Sequence, residues 1–471
     1  MNNIRVMKFG GTSVGSAQRI AAAAAIVKDF GTSQPTVVVV SAMSGVTDLL
    51  VRSAQAAARG EIADLDANLA ALHQRHRQAA EELLPSAARE KYDQAAGRIL
   101  AELETTCRGV SQLGYCPARA NDVIIGCGER LSTPLLSAAI EQLGVAAQDV
   151  EATSFLVTDA NFGEAAPLME PSAPRGKAVL LPILEKKIVP VVTGFIGATA
   201  AGAPTTLGRG GSDYSASLVA ACLDAAEVWI WTDVEGIFSA DPNLVPEARA
   251  LRSVTYQEAA ELSFYGAKVL HPKTLAPLAD RGIPVYIKNS FEPAKTGTLI
   301  TKNGHSSGGR AVTALKNVVM ITIESRGELS AVQLIGRACT VLGLEDIDVL
   351  MLSQASREES FCFAVNKRDK ELVLRRLSET FHLELTHGYI SQFDVQEGVG
   401  VLALVGSGMR GAVGMAGKLF AALADQNVNI LAIAQGSSET NISVIVQESA
   451  LASGVRAVHQ ALVDSNELQP A

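Results

Sequence analysis

Short apolar runs alternate with helix-like segments through the first 300 residues, and this alternation constrains the fold more than any other feature of the sequence. The runs are rich in Val and Ile and have the length of buried strands; they cover residues 4–9, 36–42, 188–195, 227–234 and 283–290. Strands that alternate with helices predict an α/β fold with a mostly parallel sheet covered on both faces. Residues 47–115 contain long spans without Gly or Pro and predict a helical insertion.

The last third of the chain contains an internal repeat. Gly, Ser and Asn in residues 301–310 predict a linker, and beyond it residues 347–365 resemble residues 428–446. Placing Gln354 on Gln435 aligns the two copies, and each copy follows a helix-like segment and an earlier strand. The order strand–helix–strand–turn–strand therefore occurs twice, which indicates a paired module rather than a solenoid.

The net charge of −9 disfavours a nucleic-acid partner, since a phosphate backbone requires a basic face. The six cysteines form no CxxC pair and have no His pair beside them, so we predict neither a metal site nor disulfides. Free thiols are typical of a reducing compartment, and we expect a cytoplasmic location. The first residues do not show the basic-then-apolar pattern of a secretory signal, and no uninterrupted apolar run reaches about 20 residues, so we expect no membrane partner.

The first glycine loop follows the first predicted strand and reads Lys8-Phe9-Gly10-Gly11-Thr12-Ser13. Glycines let backbone N–H groups approach an anion, and Lys8 could reach phosphate oxygens as a point charge. The chain has no G-x-x-x-x-G-K-[ST] string, which disfavours a P-loop NTPase. A strand-to-helix turn with a surface lysine remains the alternative.

The second glycine loop, residues 205–216, places Arg209 among three glycines and just before Ser212 and Asp213 at a helix start. The arginine fork suits a carboxylate or a phosphate, although Asp213 could simply cap the helix. In open α/β sheets, ligands bind at the carboxyl ends of the strands, where both glycine loops are expected. The two loops together predict an anion-binding site.

Three other strings need interpretation. Asp233 follows a predicted strand and could contact a nucleotide or belong to a turn, while Lys268 and His271 lie in the string 264–274. Pro272 follows His271, which indicates a structural histidine. The string GSGMRG at 406–411 matches G-x-G-x-x-G, but too few residues follow it for a dinucleotide fold, so we interpret it as a turn inside the repeat.

The strings KFGGTS, GRGGSD, WTDV-GI-S-DP and FYGAKVLHP, in this order, resemble the motifs of the aspartate kinase family. The resemblance covers nearly the whole chain, and the repeat resembles the two ACT domains of that family. It implies an αβα-sandwich amino-acid kinase domain over 1–300, a linker over 301–312, and ferredoxin-like (βαββαβ-type) ACT domains over 313–392 and 393–471. The repeat looks more like that of bifunctional aspartate kinase–homoserine dehydrogenases, and the chain ends without a dehydrogenase domain. A natural monofunctional enzyme and a fragment of a larger protein both fit.

The resemblance also implies roles for individual residues. Lys8 and Asp213 would be catalytic. Lys8 would hold the transferred phosphoryl group, and Asp213 would orient the Lys8 side chain. Substrate binding is implied for Thr47, Glu129, Arg209 and Ser212, with Glu129 on the α-ammonium group and Arg209 on the α-carboxylate. Nucleotide binding is implied for Lys8, Gly10, Gly11, Ser41, Thr232, Asp233, Lys268, Lys288 and Ser290. Phe238 and Asn243 depart from the family, which often has Tyr and Arg at these positions.

The implied reaction transfers the γ-phosphoryl group of ATP, with Mg²⁺, to the β-carboxylate of L-aspartate and gives 4-phospho-L-aspartate, the first step towards lysine, threonine and methionine. A carboxylate is already a nucleophile at neutral pH, so the enzyme must mainly align and neutralise two anions. This agrees with a site rich in glycine and cations and without a catalytic His or Cys.

The resemblance further implies feedback by a small amino acid, with threonine the first candidate and lysine the second. Gln354 and Gln435 would bind the effector, although both could instead serve buried backbone groups. Open sheet edges in paired ACT modules predict a homodimer or a higher oligomer. Two other functions remain open: a kinase that forms an acyl phosphate on another amino acid, and a non-catalytic amino-acid sensor.

Overall fold

The structure is a computed structural model, and it describes residues 3–267, 270–302, 309–326, 329–354 and 360–463. The chain divides into two compact units. The first unit comprises Met1–Ile237 and Val269–Asn303, and the second comprises Phe238–Lys268 and Gly304–Ala471.

The elements are numbered along the chain. The strands are β1 Arg5–Phe9, β2 Thr36–Val40, β3 Ala147–Val150, β4 Val157–Thr158, β5 Val189–Thr193, β6 Ile196–Thr199, β7 Pro204–Thr206, β8 Glu227–Thr232, β9 Ser253–Thr255, β10 Val285–Asn289, β11 Thr298–Thr301, β12 Ala311–Glu324, β13 Met351–Gln354, β14 Ser360–Asn366, β15 Asp394–Val405, β16 Ile430–Ala434 and β17 Asn441–Gln447.

The helices are α1 Ala17–Gly31, α2 Val46–Arg59, α3 Ile62–Leu83, α4 Ser86–Leu113, α5 Ala118–Gln142, α6 Met169–Glu185, α7 Gly211–Leu223, α8 Tyr256–Phe264, α9 Pro272–Ala279, α10 Ala331–Leu344, α11 Lys370–Thr380, α12 His382–Thr386, α13 Met415–Ala424 and α14 Leu451–Leu462. Helices α2, α3 and α4 form the helical insertion that the sequence predicts for residues 47–115.

The first unit is an α/β sandwich, as predicted. Seven of its strands are hydrogen-bonded in the order β3-β5-β2-β1-β8-β10-β11, and all neighbours are parallel except β10 and β11. Met7 and Phe9 of β1 join one apolar core with α1 to α5, whereas α7 packs on β1, β2 and β8 and contacts α6 and α9. Helices thus cover both faces, and the carboxyl ends of β1, β2, β5, β8 and β10 meet at one edge.

Helix α5 is long and apolar enough to cross a membrane by length and composition, but most of the apolar stretch is buried inside the first unit. Its inward residues Ile124, Leu131 and Leu135 belong to the apolar core against the sheet. Among the residues that the structure describes, no other helix meets the same criterion. Buried core helices meet it commonly, so α5 is weak evidence for a membrane segment.

The second unit contains one antiparallel six-stranded sheet in the order β13-β14-β12-β15-β17-β16. The long strands β12 and β15 each pass through two modules. The first half of β12 pairs with the last half of β15, whereas residues from Val318 onward pair with β14 as well. Asn317 and Gly398 interrupt the two strands at left-handed backbone angles (φ of 56° and 68°) and occupy equivalent places in the repeat.

Each module therefore has the predicted ferredoxin-like order, but the two modules exchange strands. The first module runs from the last half of β12 through α10, β13, β14 and α11 to the first half of β15. The second module uses the rest of β15, α13, β16, β17 and α14, and takes the first half of β12 as its fourth strand. The strand at 311–315 thus precedes the first module in sequence and belongs to the second in space.

The compact units divide the chain differently from the predicted ranges 1–300, 301–312, 313–392 and 393–471, which remain predictions for the domains. Residues 238–267 belong to the second unit rather than the first. The physical reason is burial, because Ala240, Val245 and Ala248 lie in the apolar core of the second module.

Candidate active site

Lys8 lies near the carboxyl end of β1 and is almost completely buried. Its Nζ atom lies 2.6 Å from Oδ1 of Asp213, which belongs to the first turn of α7. A buried cation requires such a partner, because an isolated charge in the interior is costly. A Cβ atom on Gly10 would lie 3.3 Å from Lys8 Nζ, so a glycine at position 10 leaves room for the lysine head group.

Lys8 and Asp213 open onto a cleft of about 240 Å³ at the sheet edge. The cleft brings together six residues that the sequence analysis selected and that lie far apart along the chain. Its lining consists of Lys8, Ser41, Thr47, Glu129, Phe195, Gly208, Gly210, Gly211, Ser212 and Asp213. Both glycine loops therefore contribute to one site, as their predicted positions at the strand ends required.

Glu129 is a buried carboxylate on α5 that faces this cleft. Its Oε1 atom accepts a hydrogen bond from Ala42 N (3.1 Å) and lies 3.5 Å from Ser212 Oγ, which is 3.2 Å from Ser41 Oγ. The Oε2 atom is buried without a partner among the described residues. Burial raises the pKa of Glu129 to about 7. A buried carboxylate oxygen without a donor is the place where a ligand ammonium group would be favourable.

Two helices begin at the cleft without side-chain caps. Gly45 precedes α2 and Gly210 precedes α7, both with left-handed backbone angles (φ of 76° and 67°) that favour glycine. Thr47 lies in the first turn of α2, as Ser212 and Asp213 do in α7. Backbone N–H groups and the partial positive charge at both helix starts favour an anionic ligand between them.

The ends of β8 and β10 are tied to the first glycine loop by Ser290. Its Oγ atom lies 2.8 Å from Ser13 Oγ and donates to the carbonyl oxygen of Thr232 (3.0 Å). Thr232 Oγ1 in turn donates to Asp233 Oδ1 (3.2 Å), and Asp233 is exposed at the end of β8. These predicted nucleotide residues are thus linked to the loop of Lys8, although they do not line the cleft itself.

Comparison with known proteins decides the family. The profile of the amino acid kinase family matches residues 3–289, and an ACT domain profile matches residues 402–462. The chain is 31% identical to aspartokinase 2 (chloroplastic) of Arabidopsis thaliana, over 98% of this chain and 84% of that protein. The chain belongs to the aspartokinase family. This confirms the resemblance on which the sequence analysis relied.

Solved structures of family members extend the similarity to the fold. Aspartokinase III of E. coli in complex with aspartate and ADP (R-state) is 30% identical, with a TM-score of 0.80 over 97% of this chain and 99% of that one. The same enzyme in complex with lysine and aspartate (T-state) gives a TM-score of 0.81 at 30% identity, over 98% of this chain and 100% of that one. The similarity thus extends over both units of the chain.

Longer relatives in the aspartokinase family carry a second enzyme. Bifunctional aspartokinase/homoserine dehydrogenase 2 (chloroplastic) of Zea mays is 34% identical over 96% of this chain, which corresponds to 50% of that protein. The chain therefore spans about half the length of such bifunctional relatives.

Arg209 does not line the cleft as Lys8 does. It lies between Gly208 and Gly210, which both line the cleft, but its own side chain is exposed and does not belong to the lining. Within the described residues, the structure shows no ion pair for this guanidinium. Arg209 is thus at the edge of the cleft, and its predicted contact with the substrate stays a prediction.

Lys288 does not reach the cleft of Lys8. It is in register with Trp231 and Phe9, whereas Lys8 is in register with Ile230, so the two lysines lie on opposite faces of the sheet. The Lys288 Nζ atom donates to the carbonyl oxygens of Lys295 (2.9 Å) and Thr296 (3.2 Å). Burial, helped by the nearby charge of Arg5, lowers the pKa of Lys288. These contacts hold the segment at 295–296 against β10, and the predicted contact of Lys288 with the nucleotide stays a prediction.

The remaining predicted residues lie elsewhere or outside the described part of the chain. Lys268 lies outside the described residues. Gln354 ends β13 and Gln435 directly follows β16, so the two occupy equivalent positions in the modules, and both are exposed. Phe238 packs beside the apolar core of the second module, and Asn243 donates two hydrogen bonds to Asp241 Oδ1 (2.9 Å each).

The sequence analysis missed two residues that shape the cleft. Phe195 lines it with a left-handed backbone angle (φ of 66°), which is uncommon for a non-glycine residue and typical of functional sites. Asp122 is buried and accepts hydrogen bonds from Gly163 N, Thr206 N and Thr206 Oγ1, which fixes the strand before the second glycine loop. Neither feature has a sequence signal, because a backbone angle and a partner distant in sequence are both set by the fold.

Proposed function

We propose that this chain catalyses phosphoryl transfer from ATP to the β-carboxylate of L-aspartate, giving 4-phospho-L-aspartate. The observation that supports the substrate most directly is the partnerless Oε2 atom of buried Glu129 in a cleft that also holds a lysine and two uncapped helix starts. This arrangement suits a small molecule with one ammonium group and several anionic groups. The E. coli relative that binds aspartate and ADP supports the same assignment.

The residues of the cleft divide the work between the two ligands. Glu129 binds the α-ammonium group of aspartate, and Arg209 at the cleft edge binds the α-carboxylate with its planar fork. Thr47 and Ser212 at the two helix starts hold the β-carboxylate. Lys8 stabilises the negative charge on the transferred phosphoryl group, and Asp213 keeps the lysine pointed into the cleft.

The nucleotide phosphates lie against the first glycine loop in this proposal. Gly11 and Ser41 supply a backbone and a hydroxyl donor there, and Gly10, whose N–H already donates to Trp231 O (3.2 Å), lets the phosphates approach the loop closely. Thr232 and Asp233 mark the strand end towards the nucleoside. The described residues contain no group of three or more His, Cys, Asp or Glu side chains suited to a metal ion. A donor set this sparse fits Mg²⁺ held chiefly by ATP phosphates and water, with Asp213 or Asp233 as the protein carboxylate. When bound, Mg²⁺ neutralises phosphate charge.

Feedback by an amino acid is the second part of the proposal. The effector would bind at the equivalent positions of Gln354 and Gln435, and threonine and lysine are the candidates. The resemblance of the repeat to that of bifunctional aspartate kinase–homoserine dehydrogenases favours threonine. The complex of the E. coli relative with lysine favours lysine. Titration of the activity with each amino acid distinguishes them, and a lack of response to both would contradict the regulatory proposal alone.

We also propose a homo-oligomer, because the edge strands β13 and β16 of the six-stranded sheet each pair with one strand only among the described residues, apart from one side-chain hydrogen bond from Ser353 Oγ to Ile433 O (3.2 Å). Size-exclusion chromatography with light scattering tests this proposal. The six cysteines are all free, which supports a cytoplasmic location.

Hydroxylamine trapping tests the reaction itself. An acyl phosphate reacts with hydroxylamine to give a hydroxamate, so ATP consumption and hydroxamate formation are measured with aspartate, with glutamate and without an amino acid. We expect hydroxamate only with aspartate. Hydroxamate with glutamate alone would indicate another acyl-phosphate kinase, and no ATP consumption with any substrate would indicate a non-catalytic sensor.

A further inference from the structure

Residues 238–267 interrupt the first unit in sequence and belong to the second unit. We call them the docked segment. Besides its buried alanines and Val245, the segment is fixed by polar contacts. Ser239 accepts a backbone hydrogen bond from Val312 N (2.8 Å), and its hydroxyl lies 2.9 Å from His459 Nε2 on α14. These contacts hold residues 239–248 of the docked segment in the core of the second module.

Glu258 is the most deeply buried charged residue of the docked segment, with an exposed fraction of 0%. Its Oε2 atom accepts from Thr255 N (2.7 Å), and Thr255 Oγ1 accepts from Glu258 N (3.1 Å), which makes a capping box at the start of α8. A capping box needs one carboxylate oxygen. The other oxygen, Oε1, accepts from Ser407 N (2.6 Å) in the turn between β15 and α13.

Helix α8 also holds the second loop of the same module. Gln257 Nε2 donates to Thr440 Oγ1 (3.1 Å), and Asn441 donates to the carboxylate of Glu261. The two loops are joined directly, since Gly406 N donates to Thr440 O (2.9 Å). Helix α8 therefore contacts both the GSGMRG turn at 406–411 and the loop that follows Gln435.

The two ends of the docked segment continue into the first unit. At the upstream end, Ile237 N donates to Thr298 Oγ1 (3.0 Å), only a few residues after Asp233. At the downstream end, His271 caps α9, and a Cβ atom on Gly210 would lie 3.0 Å from the His271 Cβ atom. A displacement of α8 would therefore act through the chain itself on the segment after Asp233 and on His271, which lies next to Gly210 of the cleft.

We propose that Glu258 is a positioning residue through which the two loops of the second ACT module set nucleotide binding in the catalytic cleft. Its carboxylate joins the start of α8 to Ser407, so a change in either loop moves the helix and, through covalent continuity, residues 232–237. The proposal assigns a function to the GSGMRG string, which the catalytic assignment leaves unused. It rests on the proposed kinase function for its kinetic readout.

The substitution Glu258→Gln tests this role. Glutamine has the same size but only one acceptor oxygen, so it cannot serve Thr255 N and Ser407 N together. We expect the KM for ATP to rise about fivefold or more, as allosteric couplings typically do, with the KM for aspartate unchanged. Deuterium uptake at residues 230–237, measured on the full chain without ligands, should rise as well.

The matched control is Thr255→Ala. It removes the hydroxyl of the capping box and leaves the contact between Glu258 and Ser407, so it should leave the KM for ATP and the uptake at 230–237 unchanged. A loss of thermal stability in both variants, with no change in either readout, would show that Glu258 is merely structural and overturn the proposal.

A second variant keeps the test decisive if Glu258→Gln does not fold. Thr440→Val preserves volume and removes the acceptor of Gln257 on the other loop, and it should raise uptake at 230–237 in the same direction. Unchanged uptake in a folded Thr440→Val protein would then overturn the proposal. Hydrogen exchange needs no substrate, so it separates a failure of this proposal from a failure of the aspartate kinase assignment.

Discussion

The ammonium group of Lys8 and the carboxylate of Asp213 form a 2.6 Å ion pair between the end of β1 and the first turn of α7, more than 200 residues apart in sequence. The pair connects the two glycine loops and aims a cation at the place where phosphoryl transfer is proposed. Its effect on the reaction can be tested separately from its effect on folding.

Replacement of Lys8 by alanine should lower kcat by about 100- to 1000-fold, because a preorganised charge at a transferring group typically contributes this much. The KM for aspartate should change little, since Glu129 and Arg209 hold the amino acid. Steady-state kinetics with the hydroxamate assay measures both constants. Turnover equal to that of the wild type would exclude Lys8 from the chemistry.

Replacement of Glu129 by glutamine should raise the KM for aspartate by about 10- to 100-fold, which corresponds to the loss of a charge-assisted hydrogen bond. Only the ionised carboxylate attracts an ammonium group, and burial raises the pKa of Glu129 to about 7 in the free protein. The KM for aspartate of the wild type should therefore rise as the pH falls below about 7. The variant should lack this dependence, and an identical pH profile for both proteins would contradict the role.

In the ligand-free protein, the ionised carboxylate of Glu129 should lower the free energy of unfolding at alkaline pH. Its pKa rises from 4.5 in the unfolded chain to about 7 in the folded protein. The proton bound to Glu129 stabilises the folded state fully at a pH below the unfolded-state pKa of 4.5, and this stabilisation is lost as the pH rises through the folded-state pKa of about 7. Glu129→Gln should thus increase the free energy of unfolding at pH 8 by up to about 3 kcal/mol. Urea denaturation measures the difference, and a less stable variant at that pH would show that the buried charge is compensated.

Arg209 should be more sensitive to a conservative change than its exposure suggests. Lysine keeps the charge and loses the planar fork, so Arg209→Lys should raise the KM for aspartate about tenfold with little effect on the KM for ATP. Folding should be unaffected, because the side chain is exposed. An unchanged KM for aspartate would place the α-carboxylate elsewhere in the cleft.

Lys288, unlike Lys8, lies on the face of the sheet away from the cleft, although the sequence analysis selected both lysines. Lys288→Met should change the KM for ATP by less than about twofold and should lower thermal stability, since two carbonyl oxygens lose their donor. A large increase in the KM for ATP with normal stability would restore the nucleotide role that the sequence suggested.

The sequence by itself determined the features that depend on local order along the chain. The alternation of apolar runs and helices indicated the sandwich, the glycine loops indicated an anion site at the strand ends, and the match of Gln354 with Gln435 indicated two equivalent modules. Four motifs in order were enough to identify the family before any coordinates. These features follow from short-range rules of periodicity and turn chemistry, which a sequence displays directly.

Only the tertiary structure decided which distant groups meet and which faces they share. Lys8 and Lys288 both end buried strands, yet the pleat puts them on opposite sides of the sheet. The buried Oε2 atom of Glu129 and the place of residues 238–267 in the second unit depend on burial against partners far away in sequence. Such choices follow from the packing of the whole chain, because burial and side-chain partners are properties of the assembled fold rather than of any segment.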